Sequence, residues 1–198
     1  MLKKSFITIF SLLMLGAFFF NCDTGVEMSP AQGTIRVTFQ SDPADTTIEI
    51  VEFTFSVSED DWFGATIFQG KVYNDDQFAL LYTSTKSYLL EDVTYNILER
   101  ENNEYEKFTI FESYVPPGDY NLLQFGVTAE WLELEYFGIP VELPEGADLL
   151  VDMYHDFHVS ENKVTEINVQ ISPFKSVVRY RDTFHFTREM EITGVTYY

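Results

Sequence analysis

GTIRVTF, residues 33–39, is the stretch on which the fold turns. Ile35, Val37 and Phe39 alternate with Thr34, Arg36 and Thr38, a period of two that gives a strand one apolar and one polar face. The turn-forming run Ser41-Asp42-Pro43-Ala44-Asp45 follows, and then Thr47–Val57 reads as a second, longer strand. In its second half Val51, Phe53, Phe55 and Val57 share a face, whereas Ile48 and Ile50 fall on the other parity, so a bulge or twist near Ile50 is expected.

The same grammar continues downstream. Phe78–Thr83, Phe108–Ser113, Tyr120–Thr128, Leu132–Tyr136, Leu149–Val159 and Val164–Ile171 are strand-like, with Ser160-Glu161-Asn162-Lys163 read as the hairpin turn between the last two. Short β-rich segments close the chain at Ser176–Arg181, Thr183–Thr187 and Met190–Tyr197. Only Lys86–Glu104 has helical potential, and its Thr, Val, Tyr and Asn content weakens it. Many short strands separated by turn signals predict an all-β fold, an antiparallel β-sandwich formed by residues 33–198 as a single domain. A polar insertion is expected around residues 69–103, from Gln69 to Asn103.

The chain has 198 residues, with 12 Lys+Arg against 32 Asp+Glu and a formal charge of −20. Its 19 Phe, 12 Tyr and 2 Trp offer far more buriable surface than a disordered chain carries. The charge argues against a nucleic-acid partner, because a polyanion is held by a basic surface.

Upstream of the first strand, Asp23–Gln32 is short, polar and interrupted by Gly25 and Pro30, as a flexible tether is. Before it lie Lys3 and Lys4, then an uncharged apolar run from Phe6 to Phe20, then Asn21 and Cys22. An apolar run of about 15 residues is too short to span a bilayer, which takes about 20, and is the length of a secretory leader. The segment resembles a bacterial lipoprotein signal, in which cleavage precedes the cysteine and lipid is attached to its sulfur. Phe19-Phe20-Asn21 stands where that signal usually has Leu, a small residue and Gly or Ala. The resemblance implies a signal peptide over residues 1–21, lipidation of Cys22 with palmitate-type acyl chains and anchoring in a bacterial envelope membrane. A lone exported thiol needs such a cap, since it has no internal disulfide partner. An ordinary leader with an incidental cysteine is the alternative. Removing the leader with Lys3 and Lys4 would take the charge from −20 to −22.

A second resemblance covers most of residues 33–198. The opening strand Gly33–Val37, the turn at Asp42-Pro43-Ala44, and Val115-Pro116-Pro117-Gly118-Asp119-Tyr120-Asn121 leading into Leu122–Val127 are similar to an uncharacterised bacterial lipoprotein domain family. So is Val164–Ile171 followed by Phe174-Lys175-Ser176-Val177. The resemblance implies an immunoglobulin- or transthyretin-like sandwich in a domain of unknown function, on the periplasmic or outer face of an envelope, and transfers no catalytic residue.

Three groups of residues are candidates for chemistry. On a strand, Asp152, Asp156 and His158 project to one face with Tyr154, while Met153, His155 and Phe157 project to the other, so the first three are candidate zinc ligands; His185 is the remaining histidine. Alternation alone also produces this pattern on a solvated strand. The acidic loops Glu59-Asp60-Asp61, Asn74-Asp75-Asp76 and Glu101-Asn102-Asn103-Glu104 could supply calcium with oxygen ligands, although none has the spacing of a recognised calcium loop, and solubility is the simpler explanation for most of them. Trp62, Phe63 and Trp131 could stack on a sugar or grip a protein; Trp62-Phe63 reads as part of a turn, and core packing is the other reading of all three. Lys175, Arg179, Arg181 and Arg188 concentrate positive charge late in the chain, where Arg179 and Arg181 share a strand face suited to pairing with acids next door.

No phosphate loop, His-Glu-x-x-His or G-x-S-x-G is present, and no thiol is left for nucleophilic work once Cys22 is acylated. The expectation is therefore a non-catalytic, lipid-anchored envelope module binding a protein or glycan, with no cofactor. The alternatives are a calcium- or zinc-binding β domain and, behind it, an envelope glycan hydrolase.

Overall fold

The computed structural model describes residues 30–83, 92–135 and 137–198. Cys22, the leader and residues 23–29 of the tether lie outside the described residues. So does the first part of the helical candidate, residues 86–91. In chain order the strands are β1 (Gly33–Ser41), β2 (Thr47–Ile50), β3 (Phe53–Ser56), β4 (Trp62–Asn74), β5 (Gln77–Leu81), β6 (Asp92–Asn96), β7 (Arg100–Glu101), β8 (Glu104–Tyr105), β9 (Lys107–Val115), β10 (Gly118–Leu134), β11 (Phe137–Glu142), β12 (Leu150–Val159), β13 (Val164–Ile171), β14 (Val177–Tyr180), β15 (Thr183–Phe186) and β16 (Met190–Tyr197). No helix occurs among the described residues, and the rest of the helical candidate, from residue 92 on, forms β6, β7 and the start of β8 with their turns.

The fold is all-β and has two principal sheets. The smaller runs β16-β13-β1-β9. Ile35, Val37 and Phe39 of β1 are buried as their alternation predicts. On the opposite face, Arg36 Nε meets Glu112 Oε2 at 2.7 Å and Lys107 Nζ meets Glu166 Oε1 at 3.0 Å, tying β1, β9 and β13 together by side chains. The Glu112 carboxylate, by hydrogen bond and charge, holds the Arg36 guanidinium above its usual pKa.

The larger sheet runs β14-β15-β11-β10-β4-β5, with β12 on β10 and β6 on β4. Its spine is β10, whose one edge pairs with β4 while the other pairs first with β12 and then with β11. The pairing is not purely antiparallel as expected: β1–β13 and β11–β15 are parallel. Parallel neighbours need a long crossover, and in both cases the chain makes other strands before it returns.

Core side chains from both sheets meet. Phe39 of β1 packs edge-on against Phe125 of β10 at 6.5 Å and 88°, and Phe111 of β9 meets the same ring at 6.0 Å. All three are fully buried. Each contributes about 1.5–3 kcal/mol through burial.

Several sequence expectations change in space. Thr47–Val57 is two strands, because Val51 and Glu52 both take positive φ (48° and 71°) and form a two-residue hairpin turn. Tyr120–Thr128 and the start of the expected strand Leu132–Tyr136, as far as Leu134, join into β10, since the break near Glu130-Trp131 is a bulge at which two residues oppose one of β4. Trp62-Phe63 is not in a turn but opens β4. Among its described residues, the polar insertion expected from Gln69 to Asn103 supplies the second half of β4, together with β5 and β6, to the large sheet, and β7 to a separate two-stranded ribbon with β8. Ser160–Lys163 joins β12 of the large sheet to β13 of the small one, so it is a corner between sheets instead of a hairpin turn.

Candidate functional site

β12 carries the histidine-rich run, and a bulge decides what it presents. Tyr120 pairs with Phe157 and Leu122 with Tyr154, so His155 and Asp156 together oppose Asn121. Met153 and Phe157 are buried as the alternation requires, but His155, expected beside them, is exposed because the bulge turns it outward. Asp156 and His158 open into a depression of about 500 Å³ whose rim includes Asn74, Asp75, Asp119, Asn121 and Tyr197. Tyr120 and Phe157, stacked at 5.6 Å and 10°, line its inner side. His158 Nδ1 lies 2.7 Å from Asp119 Oδ1, and Asn121 Nδ2 donates to Asp75 Oδ1 at 3.2 Å.

Asp152 does not join this group. Its Oδ1 accepts from Gln124 Nε2 at 2.6 Å, and Gln124 in turn accepts from the Tyr73 hydroxyl. His185 lies in another depression, stacked on Tyr180 at 4.8 Å with Nε2 3.9 Å from Glu142 Oε1. Among the described residues no three His, Cys, Asp or Glu side chains converge closely enough to hold a metal ion.

The acidic loops have structural employment. Asp61 is buried, and its carboxylate accepts backbone N–H groups of Ser58 at 2.7 Å and Glu135 at 2.9 Å. Asn102 and Asn103 take φ of 54° and 67° in the turn between β7 and β8, a conformation that asparagine tolerates well. Asp75 has φ 48° in the turn between β4 and β5. The late cations also differ from expectation. β14 ends at Tyr180, so Arg181 sits in the following turn over the Tyr180 ring, and Arg179 Nε donates to the Arg181 carbonyl instead of pairing with an acid. Lys175 reaches Asp42 at 3.5 Å, and Arg188, its guanidinium pKa lowered by burial, donates to the Asp148 carbonyl at 2.7 Å.

The aromatic candidates separate by parity. Phe63 points inward, is fully buried and packs against Phe186 at 5.5 Å, which corrects its assignment as a ligand contact. Trp62 and Trp131 project from the opposite, outward face of the large sheet and are 38% and 43% exposed. Each indole lies over a glycine: Trp62 over Gly64 on its own strand, and Trp131 over Gly138 of β11. A Cβ at either glycine would overlap the ring, so only glycine lets the indole lie flat against the backbone. Glu133, opposite both Trp62 and Gly138, sits between the two indoles on the same face. The Trp62-x-Gly64 spacing is visible in sequence, but Trp131, Glu133 and Gly138 meet only through strand register.

The chain is thus an all-β protein of two facing sheets with a flat aromatic surface on the larger. No family model, curated protein or solved structure matches it. No helix among the described residues is long and apolar enough to cross a membrane.

Proposed function

We propose that this protein is a non-catalytic interaction module of a bacterial cell envelope, held to the periplasmic or outer face of a membrane by lipid on Cys22 and binding a protein or glycan. The observation that carries the reading is the pair of flat, half-exposed indoles of Trp62 and Trp131 on a rigid sheet. Exposed aromatics on a rigid scaffold cost little ordering entropy on binding.

The reading includes an immunoglobulin- or transthyretin-like sandwich of the uncharacterised lipoprotein domain type. Supporting it, the Tyr120 hydroxyl donates to the Pro116 carbonyl at 2.7 Å, at the corner between β9 and β10. That back-bonding tyrosine resembles the tyrosine corner of immunoglobulin-type sandwiches.

Metabolic labelling with an alkyne fatty acid tests the anchor: label on the wild type and none on Cys22→Ala is expected, and equal labelling overturns it. Crosslinking of the full chain in intact cells, compared with Trp62→Ala/Trp131→Ala, tests the binding face. The double variant is expected to lose its crosslinked species.

Asp75, Asp119, Asp156 and His158 line one depression, and this supports a second reading, a calcium- or zinc-binding domain whose carboxylates would close up around the ion, since no three of them converge without it. Metal that binds the folded state alone raises the melting temperature. An unchanged melting curve in millimolar calcium and in micromolar zinc removes this reading.

A further inference from the structure

The geometry points to the outer face of the large sheet, from Trp62 across Glu133 and Trp131 to Pro140 and Glu142, as a platform for an uncharged polysaccharide whose sugar rings stack on the two indoles. This inference rests on the interaction-module reading and specifies its partner.

Three observations carry it. The first is the posture of the rings. With Gly64 and Gly138 beneath them, the indoles lie along the sheet with one face on backbone and one on solvent, a posture fixed before any ligand arrives. Protein interfaces are anchored by side chains that enter pockets on the partner. Rings flush with a sheet instead form a flat surface, which suits the flat C–H faces of sugar rings.

The second is register. Trp62 is opposite Glu133, Glu133 opposite Gly138, and Trp131 opposite Pro140, all on outward positions while Leu132, Leu134, Ile139 and Val141 face the core. Strands lie about 4.8 Å apart, so indoles seated over β4 and β11, with β10 between them, are separated by about two strand spacings and can address two different rings of one chain.

The third is charge. Glu130, Glu133 and Glu142 are all exposed on β10 and β11, and the whole chain carries −20. Carboxylates accept hydrogen bonds from sugar hydroxyls, and those bonds are strengthened by the charge. The same carboxylates repel uronate or phosphate polymers, which selects for an uncharged glycan.

The test uses the full chain in detergent micelles with chitohexaose, hydroxyethylcellulose and, as the anionic comparison, polygalacturonate. Native gels containing each polymer and tryptophan emission with the hexasaccharide report binding. Expected are retardation or an emission shift with an uncharged probe, none with polygalacturonate, and affinity about tenfold weaker in Trp131→Ala. Glu133→Gln, at an exposed position, should weaken binding several-fold with an unchanged melting temperature, and so tests the platform even if Trp131→Ala fails to fold. Absence of binding to both uncharged probes, binding of polygalacturonate with equal strength, or wild-type affinity in Glu133→Gln overturns the proposal. If the uncharged probes fail while cells still yield a crosslinked protein that the tryptophan double variant loses, the glycan assignment falls and the interaction module stands. Failure of both assays removes both.

Discussion

The carboxylate of Asp45 accepts the backbone N–H of Phe174 at 2.8 Å, bridging the β1–β2 connection and the β13–β14 connection. The same Oδ2 takes the Lys175 N–H at 3.1 Å, and the Asp45 carbonyl accepts the Tyr105 hydroxyl at 2.9 Å. Asp45 and Phe174 are both almost completely buried, so water cannot replace these bonds. Asp45→Ala would leave two N–H groups without their acceptor and should cost about 3 kcal/mol of stability. Asp45→Asn keeps an acceptor oxygen and should cost less. Urea midpoints of the two variants check the order.

Tyr105 gives the fold an alkaline limit. Burial pushes its phenol up to about 12. Because the folded-state value is raised, the contribution is complete below the unfolded value near 10 and is lost as pH climbs toward 12. Tyr120, also raised by burial, acts in the same direction. Stability should therefore hold up to about pH 10 and fall above it. Tyr105→Phe should be less stable at neutral pH, through loss of the bond to Asp45, yet decline less steeply between pH 10 and 12. Denaturant titrations at several pH values would show the difference.

Phe125 joins the two sheets, and its truncation should be severe. It meets both Phe39 and Phe111, and Phe125→Ala should cost about 3–5 kcal/mol. Because Phe39 and Phe125 touch, Phe39→Ala/Phe125→Ala should be less destabilised than the sum of the single changes. Strict additivity in chemical denaturation would show that the ring contact is not energetically coupled.

The β2–β3 turn stores strain. Val51 is β-branched yet has φ of 48°, and Glu52 follows at 71°. Asn-Gly is the pair suited to this two-residue turn, so Val51→Asn/Glu52→Gly should raise stability by about 1 kcal/mol. Val51 is also 58% exposed and Glu52 is exposed beside it, so the exchange removes no core contact from the tip. A lower melting temperature in the double variant would overturn this account.

Much of this molecule is legible one strand at a time. Alternation in residues 33–39 and 164–171 is local, and β1 and β13 present the faces it predicts. The β-rich composition likewise leaves little room for helices. Several of the failures arise at bulges. Bulges at Gln69-Gly70 and Glu130-Trp131 insert a residue against a partner strand and change the inward parity on either side, and the one at His155-Asp156 turns His155 outward, all without any local composition signal. β4 is hidden in the sequence because its outward residues, including Gly64, Thr66 and Lys71, look like loop.

What the sequence by itself determined is the β character, the acidity and the aromatic wealth, together with the expectation of a lipid anchor at Cys22. Only the tertiary structure decided which aromatics are buried and which exposed, that Asp152 parts from Asp156 and His158, and that Trp131 rests on Gly138. These depend on register between strands distant in the chain, and register is set by the packing of two whole sheets rather than by any one segment.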